Sequence, residues 1–169
     1  LKPASSVIGH GQEILYPHNL REVNFAGELA VIIKRQAKHV QERDALRYVW
    51  GYTCANDVTA GDLRSPMMQT LAKGRYTFCP LGPWIETEID GDNIKLRSWL
   101  NGDLKQEAST REMIFSISRI ISYVSGFMAL EPGDAIITGS SRRGMTTIVS
   151  GDVIQVEIDG IGKLENRVG

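Results

Sequence analysis

Cysteine is scarce: the 169 residues hold only Cys54 and Cys79, far apart and in apolar segments. That count excludes a disulfide framework, and the spacing excludes a close-paired zinc site, so both read as buried free thiols in a reducing, cytoplasmic compartment. No run approaches the roughly 20 apolar residues that a membrane span needs, and the start, LKPASSVIGHG, lacks a basic region followed by an apolar one. Charge of one sign is missing as well. With 19 basic and 20 acidic residues, a net charge of -1 and no long block of either sign, neither a nucleic-acid track nor a polybasic membrane patch is expected. A small molecule is the expected partner. The three histidines, His10, His18 and His39, have no metal-ligand spacing and no nucleophile nearby, so they are assigned no catalytic role. Repeats, linkers and low-complexity tracts are absent, and residues 1–169 are expected to form one domain.

What is present is a series of short apolar segments. Asn24 to Ile33 (NFAGELAVII) ends in a β-branched run without a helical stripe, the pattern of a strand buried on both faces. Asp44 to Trp50 places Ala45, Leu46 and Val49 at helical spacing before Gly51, and Tyr52 to Val58 reads as a second buried strand. Ile94 to Leu100, Asn101-Gly102 and Asp103 to Glu107 spell a β-hairpin. Ile117, Ile120, Ile121, Val124, Phe127 and Met128 line one face of a helix over Ser116 to Met128. Pro132-Gly133 turns the chain into a strand at Ala135 to Thr138, and Val153 to Ile158 pairs with Lys163 to Val168 around Asp159-Gly160. The expected class is mainly β with peripheral helices, a mixed sheet rolled into an open barrel.

Glu28 is the most informative residue, because a carboxylate inside an apolar strand must meet a cation or titrate to its neutral form. Asp57, at the end of the second buried strand, is its natural companion in a hard oxygen site for Mg²⁺ or Mn²⁺. The competing interpretation, weighted evenly, pairs Glu28 with a basic side chain and lets Asp57 cap the following turn. Lys73, in LAKGRYTFCPLGP, sits ahead of an apolar loop rich in Gly and Pro, where its ammonium can reach a substrate carboxylate or lie solvated. The segment Gly139 to Gly144 (GSSRRG) is either an anion-holding loop or a plain turn.

Six strings, FAGELAVII, GYTCANDVTAGDL, LAKGRYTFCPLGPWI, LNGDLKQEAS, MIFSISRIISYVSGFMALEPGDAIITG and GDVIQVEIDGIGKLENRV, resemble the fumarylacetoacetate hydrolase family in order and spacing along nearly the whole chain. The nearest flavour is the bacterial isomerase/decarboxylase type of aromatic catabolism. The resemblance implies an open barrel of mixed strands, a homodimer, and a divalent metal held by a Glu-x-Glu pair and a downstream Asp. The second Glu matches Glu28 and the Asp matches Asp57, but the first Glu falls on Ala26. Glu22 lies four strand residues from position 26, roughly 13 Å away, too far to substitute. Gly61 stands where similar enzymes carry an arginine. Lys73 matches the active-site lysine, and Thr138 with Gly139 matches the substrate-contacting Thr-Gly turn, although Ser140 and Ser141 replace the common Thr-Pro. The family's lid segment, upstream of the motif matched by Lys2-Pro3, is expected to be missing. The implied activity is isomerisation, decarboxylation or carbon–carbon hydrolysis of a 2-oxo or 2-hydroxy-dienoate acid through an enolate. Ala26 and Gly61 support the alternative of a non-catalytic copy that serves as a structural or regulatory partner domain.

Overall fold

The computed structural model describes residues 1–140 and 145–169. Its strands are β1 (Val7–Ile8), β2 (Glu13–Ile14), β3 (Val23–Phe25), β4 (Gly27–Ile33), β5 (Val49–Asn56), β6 (Thr59–Ala60), β7 (Cys79–Glu86), β8 (Lys95–Leu100), β9 (Asp103–Ser109), β10 (Ala135–Ile137), β11 (Thr146–Ile148), β12 (Val153–Ile158) and β13 (Gly162–Val168). Helices α1 (Gln69–Lys73) and α2 (Ile117–Ser125) lie outside them. A five-stranded sheet runs β1-β7-β5-β4-β10, a second runs β2-β13-β12-β8-β9, and a three-stranded sheet, β11-β3-β6, joins their ends. Most neighbours are antiparallel, but β1 with β7 and β2 with β13 are parallel. The molecule is therefore mainly β, a curled mixed sheet with peripheral helices.

Strand β4 is buried along its whole length because each face meets a different apolar group. Leu29, Val31 and Ile33 enter the main core with Leu96, Val156 and Leu164 from the opposed sheet, sealed by Ile117 and Ile121 of α2. Ala30 and Ile32 join Ala55, Leu81 and Ile137 on the other side. Helix α2 starts where the Ser116 hydroxyl accepts the Arg119 N–H, and Asp92 Oδ1 accepts that of Ile117. It stops at Ser125, short of the expected Met128, and leaves Phe127 67% exposed.

Two other expectations change. Residues Glu42–Tyr48 form a 3₁₀ helix, and Val49 and Trp50 belong to β5, where pairing of Val49 with Ile33 wins over helical spacing. Gly51 is thus no helix stop. A Cβ there would lie 2.4 Å from the Glu86 carbonyl oxygen, so the residue marks a close approach of the neighbouring strand β7 to β5. The segment after Lys73 is a loop only as far as Phe78; from Cys79 it is strand β7, between β1 and β5. Pro83 is tolerated because β5 advances two residues, Cys54 to Tyr52, while β7 advances four, Gly82 to Glu86. The hairpin at Asn101-Gly102 forms as expected, with φ of 54° and 88° at its two turn residues. No described helix is long and apolar enough to cross a membrane.

Candidate metal and substrate site

The site begins with strand register. Gly27 pairs with Asn56 and Glu28 with Ala55, and the Asp57 N–H donates to the Ala26 carbonyl at 2.9 Å. Alternation along the strand puts positions 26 and 28 on one face, with Asp57 opposite position 26. The two carboxylates picked out in the sequence are brought together, and Ala26 stands where a third would complete the group. Among the described residues no cluster holds three or more His, Cys, Asp or Glu side chains in metal-binding arrangement.

Glu28 is 6% exposed, and its Oε2 accepts the Gly139 N–H at 2.7 Å. Burial, followed by repulsion from Asp57, pushes its acid up to about 8, against the opposing pull of the Gly139 N–H, Lys73 and Lys2. No ion pair to Glu28 is present among the described residues, so the basic partner weighed for it belongs instead to Asp57. Lys73, the last residue of α1, sends its Nζ to Asp57 Oδ2 in a short ion pair and donates to Thr59 Oγ1 at 3.0 Å. On the other side, Lys2 Nζ lies 3.0 Å from Asp57 Oδ1, an atom that is buried yet takes no well-aligned hydrogen bond.

Lys2 is also bound to three backbone carbonyls, those of Val58 at 3.0 Å, Lys73 at 2.7 Å and Phe78 at 2.5 Å. Burial lowers its pKa from the ordinary lysine value, while Asp57 holds it up. Sequence reasoning gave Lys2 no role and passed over Thr59. The available signal for Lys2 was modest: it is the one Lys, Arg, Asp or Glu among residues 1–12.

The remaining expectations divide. Gly139 has φ +94°, a conformation that favours glycine and that aims its N–H at Glu28. The Thr138 hydroxyl is turned away, donating to the Leu29 carbonyl at 3.0 Å, as does its own N–H. Glu22 does not stand in for the missing ligand: its Oε1 accepts Asn24 Nδ2 at 2.7 Å, and its side chain fills the space over Gly61, where a Cβ would sit 2.5 Å from Glu22 Cδ. Of the anion-loop residues, 141–144 lie outside the described residues. His10 Nδ1 accepts the Glu165 N–H at 3.1 Å, a structural use. A cleft of about 410 Å³, lined by Leu29, Ala108, Met113 and Ile120, opens on the opposite face of β4 and shares only the Thr138–Ser140 turn with the carboxylates.

These donors fit a hard divalent cation in part. Two mutually repelling carboxylates are what such an ion would satisfy, although Asp57 is already paired with Lys2 and Lys73 and the set is one ligand short.

The chain matches the family model for the fumarylacetoacetate (FAA) hydrolase C-terminal domain over residues 1–169. Across 99% of its length it is 44% identical to a Mycobacterium tuberculosis protein, of which it spans 64%. It is 39% identical to the 4-hydroxyphenylacetate degradation bifunctional isomerase/decarboxylase of Salmonella dublin, again over 99% of the chain but 40% of that enzyme. The crystal structure of 2-hydroxyhepta-2,4-diene-1,7-dioate isomerase from Mycobacterium marinum superposes with a TM-score of 0.95 at 42% identity, covering 99% of this chain and 66% of that one. Fumarylpyruvate hydrolase from Pseudomonas aeruginosa, solved with Mn²⁺ and pyruvate, gives 0.92 at 26% identity, covering 99% and 76%.

Proposed function

Because the chain belongs to the fumarylacetoacetate hydrolase C-terminal family, we propose that it is a metal-dependent enzyme whose substrate is a 2-oxo or 2-hydroxy-dienoate carboxylic acid. The chemistry is isomerisation, decarboxylation or carbon–carbon hydrolysis through an enolate, in the breakdown of aromatic compounds. Glu28 and Asp57 hold Mg²⁺ or Mn²⁺, and Lys73, Thr138 and Gly139 meet the substrate. The observation that carries this is the convergence of two repelling carboxylates with a lysine ammonium at the end of two buried strands. The Mn²⁺ and pyruvate in the Pseudomonas aeruginosa relative support the choice of ion and ligand class.

Bound there, a divalent ion supplies positive charge for the developing enolate oxygen. The chain's own groups do the rest. Glu28, with its acid pushed up to about 8, keeps a proton at neutral pH until a cation displaces it. The Lys73 ammonium, fixed between Asp57 and Thr59, offers its charge to a distal or enolate oxygen of the acid. Gly139 and Thr138 lie beside Glu28 and receive the carboxylate, for which the Thr138 hydroxyl must leave the Leu29 carbonyl. Two free, buried cysteines support a reducing, cytoplasmic setting, and the family supports a homodimer.

The test is retention of Mn²⁺ by purified protein together with turnover of oxaloacetate. Both should vanish in Asp57→Ala. A wild-type protein that neither holds the ion nor turns over any 2-oxo acid would favour the non-catalytic partner domain instead.

A further inference from the structure

Helix α2 buries Ile117 and Ile121 and turns another face to solvent. On that face Ile120, Tyr123 and Phe127 follow at helical spacing, and the Tyr123 and Phe127 rings meet edge to face with centroids 5.4 Å apart. Tyr123 is 69% exposed and Phe127 67%; just ahead of the helix, Ile114 is 91% exposed and Phe115 59%. At roughly 150–250 Å² for an aromatic side chain, these four residues leave about 500 Å² of apolar surface in water. That is close to the largest patch a monomer ordinarily carries, and more than half of the roughly 800 Å² that each partner covers in a stable interface.

The same surface also carries a hollow. The cleft of about 410 Å³ is walled by Met113, Ile114, Phe115 and Ile120, with Leu29 and Ala108 behind them. A projecting apolar pair beside an apolar hollow is the arrangement a two-fold axis uses, because residue i of one copy then meets j of the other while j meets i. Charges around the patch are of both signs: Glu112 in the lining, Arg111 before it, and Arg119 paired with Glu42 at 3.4 Å. Such a rim can answer its own copy charge for charge, whereas an anionic membrane or a nucleic acid would call for a basic excess.

We infer that a second copy of this chain docks on this face across a two-fold axis, each copy's Ile114 and Phe115 entering the other's cleft, and that docking braces the turn that holds Glu28. The cleft ends on Thr138, Gly139 and Ser140, and the Gly139 N–H is the donor to Glu28 Oε2 at 2.7 Å. Side chains seated in the cleft press on that turn from the face of β4 opposite the carboxylates. This names the face of the homodimer proposed above and rests on that assignment, not on the reaction or on a bound ion.

Sedimentation equilibrium of the full chain over a dilution series tests it, with Ile114→Asp, Phe115→Asp and, as a control at an exposed apolar residue of α1, Leu71→Asp. The wild-type chain and the control should be dimers. A carboxylate placed in the apolar contact should weaken the dimer roughly 30-fold or more in each of the other two. Melting curves show whether the variants fold, and wild-type protein diluted to monomer gives the same comparison without any substitution. Hydrogen exchange followed by mass spectrometry should be faster at residues 135–140 in the monomer than in the dimer. Dimers that persist in both folded variants would overturn the face and leave the homodimer standing. A wild-type chain that stays monomeric at every concentration would overturn both, whether or not it binds anionic vesicles instead. Exchange at 135–140 that is the same in monomer and dimer would remove the bracing of the turn. Turnover and Mn²⁺ retention are measured separately and bear only on the reaction.

Discussion

Glu28 is held where its neutral form is favoured, and pH reports the consequence. Its folded acid, about 8, stands above the ordinary value of 4.5. The folded state therefore binds the proton more tightly than the unfolded one. The associated stability is full below about 4.5 and is lost as pH rises through about 8. At about 1.4 kcal/mol per pH unit the effect amounts to a few kcal/mol. In EDTA, thermal unfolding should shift to lower temperature across that window, and Glu28→Gln should flatten the dependence. A profile identical in the variant would refute the assignment. Burial likewise pushes the Cys54 and Cys79 thiols up to about 12 and about 11, so neither should react with iodoacetamide in native protein at pH 8. Mass spectrometry of the alkylated protein checks this. Glu28 and Asp57 were legible in the sequence because a carboxylate in or beside an apolar strand stands out. Lys73 stood out too, as an ammonium ahead of a Gly- and Pro-rich segment, but its pairing with Asp57, 16 residues away, did not, and nothing in composition marks Lys2 as a lysine whose ammonium will be roofed by three carbonyls.

Among the elements, α2 and the Asn101-Gly102 hairpin were readable from local rules alone, one from a 3.6-residue period and the other from its turn residues. Strand β7 was hidden because its partners are remote. Cys79 pairs with Val7, and Gly82 with Cys54, while its own glycine and prolines mimic a loop. The segment at Asp44 to Trp50 misled for the same reason: Val49 satisfies a helical stripe, yet a strand partner at Ile33 claims it. Two substitutions test these elements. Ile121→Ala, which empties a fully buried position between α2 and the sheets, should cost about 2–5 kcal/mol in urea unfolding. Gly51→Ala forces a methyl against the Glu86 carbonyl, and a loss of about 1–3 kcal/mol is expected. A neutral result would show that β7 can retreat from β5.

At the scale of the whole molecule, the first 14 residues stitch separate sheets together. β1 completes the edge beside β7, and β2 completes the edge beside β13, where Ile14 meets Val168 and the Gly169 N–H reaches the Ile14 carbonyl. The pairing of β2 with β13 is the most distant of the described strand pairings, so its closure carries a large entropic cost and belongs late in folding. When this stretch lifts, β7 and β13 each present a row of free amides and carbonyls, and a second molecule can add its own strand there. Removal of the leading residues is therefore expected to promote self-association. A form shortened by 14 residues should scatter light at concentrations where the full chain stays clear.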